Sequence, residues 1–147
     1  GAMERVLDMT LEYCNDRVQF GKAIGKFQAV QHQLSVMAEH VAAARIAAQL
    51  AFAGDHPVPE LMTTAIAKAR TSMAVPSVAA TAHALFGAIG ITEELDLQLF
   101  TRRLHEWRIS EGAETYWNGL VGQALLEELE ENFGVLAARV VGAFLFG

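Results

Sequence analysis

Apolar side chains recur at helical spacing through the first third of the chain. From Glu4 to about Asp16 they fall three or four residues apart, which places them on one stripe of an amphipathic helix (Val6, Leu7, Leu11 and Cys14). The same spacing continues from Phe27 to Ala53 (Val30, Leu34, Met37, Val41, Ala44, Ala48 and Phe52). Gly54 is a typical helix terminator. The pattern therefore predicts two helices that are separated by a short connection.

A proline-containing loop separates the second helix from a third. The segment DHPVP carries Pro57 and Pro59, and Pro59 lies near the first turn of a helix that we expect to run to about Phe86. Pro76 falls inside that helix. Because proline has no N–H and its ring collides with the preceding turn, we expect a kink there or two helices end to end.

Two further helices are expected after the glycine turn GAIGIT. Thr92 is suited to cap a fourth helix that runs to about Glu106, and a fifth should extend from about Ala113 to Asn132. The final run, VLAARVVGAFLFG, is apolar but shorter than the ~20 residues that span a bilayer, so we expect it to pack on this or a neighbouring subunit. Without a persuasive strand pattern, the predicted fold is all-α, an antiparallel four-helix bundle with an additional C-terminal helical segment.

Composition narrows the classes of function. Apolar residues make up 52% of the chain, somewhat more than soluble domains usually carry, which indicates surface that a partner covers. The net charge of −6 argues against nucleic acid and against anionic membranes as partners, since both recruit basic patches. The single Cys14 cannot form an internal disulfide, and no secretory signal is visible, so we expect a cytoplasmic protein.

Metal chemistry is the first alternative for a helical bundle. Ferritin-like di-iron sites use Glu-x-x-His pairs, and none of the five histidines has a glutamate three residues before it. One cysteine is too few for a cysteine-based zinc site. Neither a P-loop nor a G-x-S-x-G motif is present. We therefore interpret the histidines as surface or helix-end residues and predict no metal site.

Two segments carry residues that packing alone does not require. The first, RVQFGKAIGKFQAVQ, connects the first two helices and begins at Arg17. By spacing alone it is an exposed loop in which Gly21 and Gly25 permit conformations closed to other residues. The second, ALFGAIGITEELDLQLFTRR, begins at Ala84 and is followed, after a short connection, by Glu111.

These two segments, in the order in which they occur along the chain, resemble the C-terminal domain of flavin-dependent acyl-CoA dehydrogenases. The resemblance implies an enzyme that removes two hydrogens from an acyl-CoA thioester: a carboxylate takes the α-proton, and the β-hydrogen leaves as hydride to the flavin of FAD. It implies that Glu111 is the base and that Gly112 lies beside the thioester. Contacts to FAD, in part across a subunit interface, would come from Arg17, Gln19, Phe20, Phe27, Gln28, Ala84, Leu85, Gly87, Ala88 and Ala113. By spacing alone, Glu111 is an exposed loop glutamate, and Glu114 is its nearest competitor as base.

The chain departs from the family pattern at two positions. The family commonly has glutamine where Ala84 stands and a hydroxyl residue where Ala113 stands, and each change removes a contact to the flavin. Some members form mixed assemblies in which one subunit type supplies an incomplete site. The second hypothesis is therefore a non-catalytic scaffold or oligomerisation subunit of a heteromeric acyl-CoA dehydrogenase.

The resemblance covers only one domain of the family. Its N-terminal helical domain and middle β domain, which hold the reactive flavin ring and much of the substrate site, have no counterpart in this sequence. Residues 1–3 resemble a tag remnant and a start residue, and residues 4–147 form the expected domain. We expect this chain alone neither to retain FAD nor to oxidise acyl-CoA, and to act within a homo-oligomer or with a heteromeric partner.

Overall fold

The computed structural model describes residues 1–54 and 57–129, and most of them are helical. The elements in chain order are α1 (Ala2–Asp16), β1 (Val18–Gln19), β2 (Lys22–Ala23), a 3-10 helix (Ile24–Lys26), α2 (Gln28–Ala51), α3 (Leu61–Phe86), a second 3-10 helix (Gly87–Ile91), α4 (Leu97–Ile109) and α5 (residues 114–129). The predicted all-α fold is confirmed. The expected helix end at Asn132 and the C-terminal run VLAARVVGAFLFG lie outside the described residues.

Helix α3 is the centre of the bundle and contacts α1, α2 and α4. Helix α1 in turn packs against α2 and α4. Helices α1 and α3 end at the same end of the bundle, where Tyr13 stacks on Phe86, and α2 and α4 each start from the connections that leave this end. Successive helices therefore run in opposite directions, as the predicted antiparallel bundle requires.

The apolar stripes that the periodicity identified supply part of the core, through Val6, Met37 and Val41, and α3 and α4 supply most of the rest. Buried apolar side chains of α1, α2, α3 and α4 form one cluster (Val6, Met9, Met37, Val41, Val75, Val78, Ala82, Phe86, Leu97 and Leu104). Burying this surface is the main favourable contribution to the free energy of folding. The prediction was wrong for Leu11 and Phe52, which are exposed, while Thr10 is buried and donates its hydroxyl to the carbonyl oxygen of Val6 at 2.6 Å.

Helix α3 buries mainly small side chains (Ala65, Ala67, Ala69, Ser72, Ala74, Ala79 and Ala82). Small side chains let neighbouring helix axes approach closely, which suits a central helix. Together with the 3-10 helix after it, the segment Leu61–Ile91 is long and apolar enough to cross a bilayer by length and composition. The core helix of a soluble protein passes the same test, and this one contacts three other helices.

Pro76 does not divide α3 into two helices, which was one of the two predicted outcomes. The helix continues through it as one element from Leu61 to Phe86. Proline removes the N–H that would bond the carbonyl four residues earlier, that of Ser72. Burial of Val75 and Val78 on either side of the proline holds the helix together in spite of this loss, because packing supplies most helical stability in proteins.

The prediction that Thr92 caps the fourth helix is wrong. Helix α4 begins at Leu97, and the hydroxyl of Thr92 donates instead to the carbonyl oxygen of Ile89 at 2.8 Å, at the end of the 3-10 helix. Leu97 is 0% exposed. We attribute the later helix start to the packing of Leu97 into the core, which outweighs the capping preference of Thr92.

Candidate active site and flavin-contact surface

The connection after α1 is a small β-hairpin. Val18 pairs with Ala23 and Gln19 with Lys22 in antiparallel register, which leaves a two-residue turn of Phe20 and Gly21. Both turn residues have positive φ, 52° and 78°, as the type I′ turns that join two antiparallel strands require. Strands of two residues are too short to show alternation in the sequence, and the hairpin was accordingly not predicted.

The hairpin presents aromatic and cationic side chains to solvent. Phe20 is 91% exposed at the tip, and its ring meets that of Phe27 edge to face at a centroid distance of 6.3 Å. The ammonium of Lys22 lies 4.2 Å from the centroid of the Phe27 ring, a cation–π contact. Arg17 and Gln19 are exposed beside them. Four of the predicted flavin contacts thus share one accessible surface.

Backbone contacts anchor the hairpin on the end of α1. The N–H of Arg17 donates to the carbonyl oxygen of Tyr13 at 2.9 Å, and the N–H of Ile24 donates to that of Arg17 at 2.8 Å. A β-carbon on Gly25 would lie 3.1 Å from the carbonyl oxygen of Cys14, so only glycine fits there without a shift. Burial raises the pKa of the Cys14 thiol.

Tyr13 brings the second predicted segment to the same end of the bundle. Its ring stacks on Phe86 with centroids 4.3 Å apart, and its hydroxyl donates to the Phe86 carbonyl oxygen at 3.4 Å. Phe86 is the last residue of α3, directly before the glycine turn. Sequence analysis missed this role of Tyr13, because a contact across 73 positions leaves no local signal.

The turn after α3 exposes its backbone. Gly87 has φ of 66°, and a β-carbon there would meet no atom within 4 Å. Ala84 and Ala88 are exposed and Leu85 is half-buried. A ligand could therefore approach the main chain closely at this turn, which is the arrangement expected of a nucleotide contact.

Glu111 lies in the connection between α4 and α5, with an unusual backbone conformation. Its φ of 57° is left-handed, and that of Gly112 is 94°. The indole N–H of Trp117 donates to the carbonyl oxygens of both residues, at 3.0 Å and 3.2 Å. Non-glycine residues in this region are uncommon and are held there by surrounding contacts, often at functional sites.

A cavity of about 400 Å³ lies beside this connection, between the start of α1, the middle of α3 and the end of α4. Glu111 is one of its lining residues and is exposed to solvent. The walls include apolar side chains (Met3, Val75, Leu104 and Trp107) and polar ones (Lys68, Thr71, Ser72, Arg108 and Ser110). Most of the exposed surface of these walls is nevertheless apolar, so a carboxylate beside the cavity can reach a substrate whose carbon chain occupies it.

Glu114, the competing carboxylate, is occupied by an ion pair. The Nε of Arg108 donates to its two carboxylate oxygens at 3.1 Å and 3.2 Å, and Nη2 contacts Oε1 as well. These hydrogen bonds lower the pKa of Glu114 and raise that of Arg108. Because a bound carboxylate of low pKa is a poor proton acceptor, the structure favours Glu111 over Glu114 as a base.

The two groups of predicted residues lie at opposite ends of α4. The hairpin and the glycine turn are at the end where α4 begins, whereas Glu111, Gly112 and Ala113 follow its last residue. At 1.5 Å rise per residue, the 13 residues of α4 separate the groups by about 20 Å. Within residues 1–54 and 57–129, no three metal-ligating side chains come together.

Comparison with known proteins identifies a family whose match includes both segments that were singled out in the sequence. The family model for the acyl-CoA dehydrogenase C-terminal domain matches residues 1–126. The acyl-CoA dehydrogenase IpdE2 of Mycolicibacterium smegmatis is 39% identical over 105 residues, which are 71% of this chain and 32% of that protein.

Solved structures share the fold as well. Glutaryl-coenzyme A dehydrogenase in complex with glutaryl-CoA matches with a TM-score of 0.81 at 31% identity, over 86% of this chain and 32% of that one. An FAD complex of PigA matches with a TM-score of 0.76 at 27% identity, over 84% of this chain and 32% of that one. These findings place the chain among the helical domains of flavin-dependent oxidoreductases. It belongs to the acyl-CoA dehydrogenase family, and it spans about a third of the length of the relatives that it matches.

Proposed function

We propose that this chain is the C-terminal domain of an FAD-dependent acyl-CoA dehydrogenase and supplies that enzyme with its base and with contacts to the adenosine side of FAD. The observation that most supports this proposal is the position of Glu111. It lies on a connection with left-handed backbone and lines a largely apolar cavity. Because the chain spans about a third of the length of its relatives, we assign the activity to a longer protein that contains this domain.

In the proposed reaction Glu111 removes the α-proton of an acyl-CoA thioester. Its place on a connection between helices lets the carboxylate face the cavity, while the acyl chain lies against Val75, Leu104 and Trp107. Gly112 follows directly and would lie beside the thioester. The neighbouring Glu114 is held by Arg108 and does not compete for the proton.

The hairpin and the glycine turn have the chemistry to hold FAD across a subunit interface. The guanidinium of Arg17 matches a pyrophosphate, and the exposed amides of Gln19 and Gln28 can hydrogen-bond a nucleotide. Phe20 and Phe27 offer aromatic surface, and the open backbone at Gly87 leaves room for close approach. When bound, FAD accepts the hydride of the reaction.

The test of the base is Glu111→Gln in the complete flavoprotein, because glutamine keeps the shape and removes the proton acceptor. We expect turnover to fall by ~10² to 10⁴ with flavin content unchanged, the usual contribution of a positioned base. Glu106→Gln, which removes an exposed carboxylate of α4, is the matched control and should leave turnover unchanged. A Glu111→Gln protein that keeps its flavin and loses less than about tenfold would rule out this role.

A scaffold subunit of a heteromeric acyl-CoA dehydrogenase is the second candidate. Two observations favour it: Ala84 is exposed on the flavin-contact surface without a polar group, and Ala113 has no hydroxyl beside Glu111. The visible absorbance spectrum of the complete gene product separates the two candidates. Bound oxidised flavin supports the enzyme, and a colourless protein that binds a flavin-containing partner supports the scaffold.

A further inference from the structure

The connection that carries Glu111 needs external support. Glu111 has a positive φ, which a residue other than glycine keeps only where neighbouring groups hold it. Helix α4 ends just before this connection, so its last carbonyl groups have no partners within the helix. The position of Glu111 relative to the cavity therefore depends on what binds the end of α4.

Lys68 of α3 binds that end. Its ammonium donates to the carbonyl oxygens of Trp107 at 2.8 Å and Arg108 at 3.1 Å, and to the hydroxyl oxygen of Ser72 at 3.2 Å. The Ser72 hydroxyl itself lies 3.3 Å from the Arg108 carbonyl oxygen, to which it donates. A cation at the C-terminus of a helix also interacts favourably with the helix dipole.

Lys68, together with the Ser72 hydroxyl, ties the end of α4 to the bundle itself. The other two ties, the indole of Trp117 and the ion pair between Arg108 and Glu114, join the connection to α5, the helix that it leads into. Helix α3 contacts three other helices and forms the cavity wall, so a bond from α3 fixes the connection relative to the cavity.

The hydrogen bonds of Lys68 argue against a direct role with substrate. An ammonium has three N–H donors, and the carbonyl oxygens of Trp107 and Arg108 and the hydroxyl of Ser72 accept from all three. Lys68 lines the cavity, but its donors are used within the protein. Burial lowers its pKa, and the charges of Glu114 and Glu111 partly oppose this shift.

We propose that Lys68 is a positioning residue that holds the connection bearing Glu111 at the cavity by binding the last carbonyl groups of α4. Its consequence for catalysis rests on the proposed function, whereas its effect on the connection does not. A lysine that only stabilised the fold would change the stability of the whole bundle and not the exchange of this connection in particular.

The first measurement is amide hydrogen exchange of the present chain, followed at Ile109 and Ser110 at the end of α4, where the Ser110 amide donates to the carbonyl oxygen of Glu106 at 3.1 Å. Lys68→Met should speed exchange there by about tenfold or more, since it removes hydrogen bonds from a charged donor. Lys68→Arg, which can still donate to both carbonyls, should restore part of the protection. Arg70→Met removes a charge from the same helix but faces His40 of α2, at 3.5 Å, and should leave this segment unchanged.

The second measurement is steady-state kinetics of the complete flavoprotein with the same variants. Lys68→Met should lower kcat by about 10- to 100-fold, because small displacements of a base are costly, while KM stays within about threefold. Lys68→Arg should recover part of kcat. If Lys68→Met does not fold, Ser72→Ala replaces it in both measurements and should show smaller changes in the same direction.

The outcomes separate the two proposals. Unchanged exchange at Ile109 and Ser110 in Lys68→Met, or a loss that appears in KM and not in kcat, overturns the positioning role. Faster exchange together with a Glu111→Gln enzyme of normal turnover keeps the positioning role and overturns Glu111 as the base.

Discussion

For Glu111, the sequence and the structure gave different kinds of information. By spacing alone it is an exposed loop glutamate, and the family resemblance singled it out as the predicted base. Its left-handed backbone and its place at the cavity came from the structure, because they depend on Trp117 and on the end of α4. The structure also shows that Glu114, the competing carboxylate, is paired with Arg108.

That ion pair makes a prediction about pH. Arg108 lowers the pKa of Glu114 below its ordinary value near 4.5, so the unfolded state takes up a proton before the folded state does. The stabilisation is therefore complete above the ordinary pKa and is lost as the pH falls through the lower pKa of the folded protein. We expect the free energy of unfolding of the wild type to fall over this acidic range more steeply than that of Glu114→Gln.

Denaturant titrations at a series of pH values measure this difference. Glu39→Gln removes an exposed carboxylate of α2 and serves as the control for a general change in charge. Parallel pH profiles for the wild type and Glu114→Gln would mean that the ion pair does not persist in solution.

At the scale of elements, packing decided the cases in which local rules and observed structure differ. Thr92 had the chemistry of a helix cap, yet α4 begins five residues later at the buried Leu97. The hairpin at Phe20 and Gly21 forms from strands of two residues, which depend on their attachment to α1 for stability. In both cases the contacts made by packing outweigh the local conformational propensity of the residues.

In helix α3 the conflict between local helix propensity and packing can be measured directly. Pro76 lies within a continuous helix, and it leaves the carbonyl of Ser72 without its helical partner. We expect Pro76→Ala to raise the free energy of unfolding by about 1 to 3 kcal/mol, because it restores that hydrogen bond and removes the ring clash. Thermal or denaturant unfolding would detect the gain.

Ala80→Gly is a suitable control variant, since it places a poor helix former at an exposed position of the same helix. It should lower the free energy of unfolding by about 1 kcal/mol. A Pro76→Ala variant that is less stable than the wild type would contradict the prediction, and would mean that the neighbouring packing requires the local geometry of proline.

For the whole molecule, the separation of the two regions matters most. The predicted flavin-contact surface (the hairpin at Phe20 and the turn at Gly87) lies about 20 Å from Glu111, at the opposite end of α4, and both regions are open to solvent. About two thirds of the length of its relatives is unmatched by this chain, so we expect each of the two regions to be only part of a site.

We therefore expect the present chain to retain no FAD on purification and to show no oxidation of acyl-CoA, since partial sites do not hold reacting groups in productive geometry. Visible absorbance after gel filtration with added FAD measures the first, and dye reduction with an acyl-CoA measures the second. The complete protein, treated in the same way, is the positive control. Stoichiometric flavin on the 147-residue chain would contradict this expectation.

The sequence by itself determined the helical class of the fold, some of the core positions (Val6, Met37 and Val41) and the two segments that carry the family resemblance. These features are local: helical spacing and short motifs are written in neighbouring residues. Arg17, Phe20, Gly87 and Glu111 could therefore be singled out before the structure, and their roles toward flavin and substrate stay predictions until tested.

Only the tertiary structure decided which of these residues meet. Tyr13 joins α1 to the turn after α3 across 73 positions, and Lys68 binds the end of α4 across 40. Neither side chain stands out in the sequence, because its partners are backbone carbonyls or an aromatic ring far along the chain. Contacts of this kind follow from how the helices pack together, and it is the packing that forms the cavity and sets Glu111 beside it.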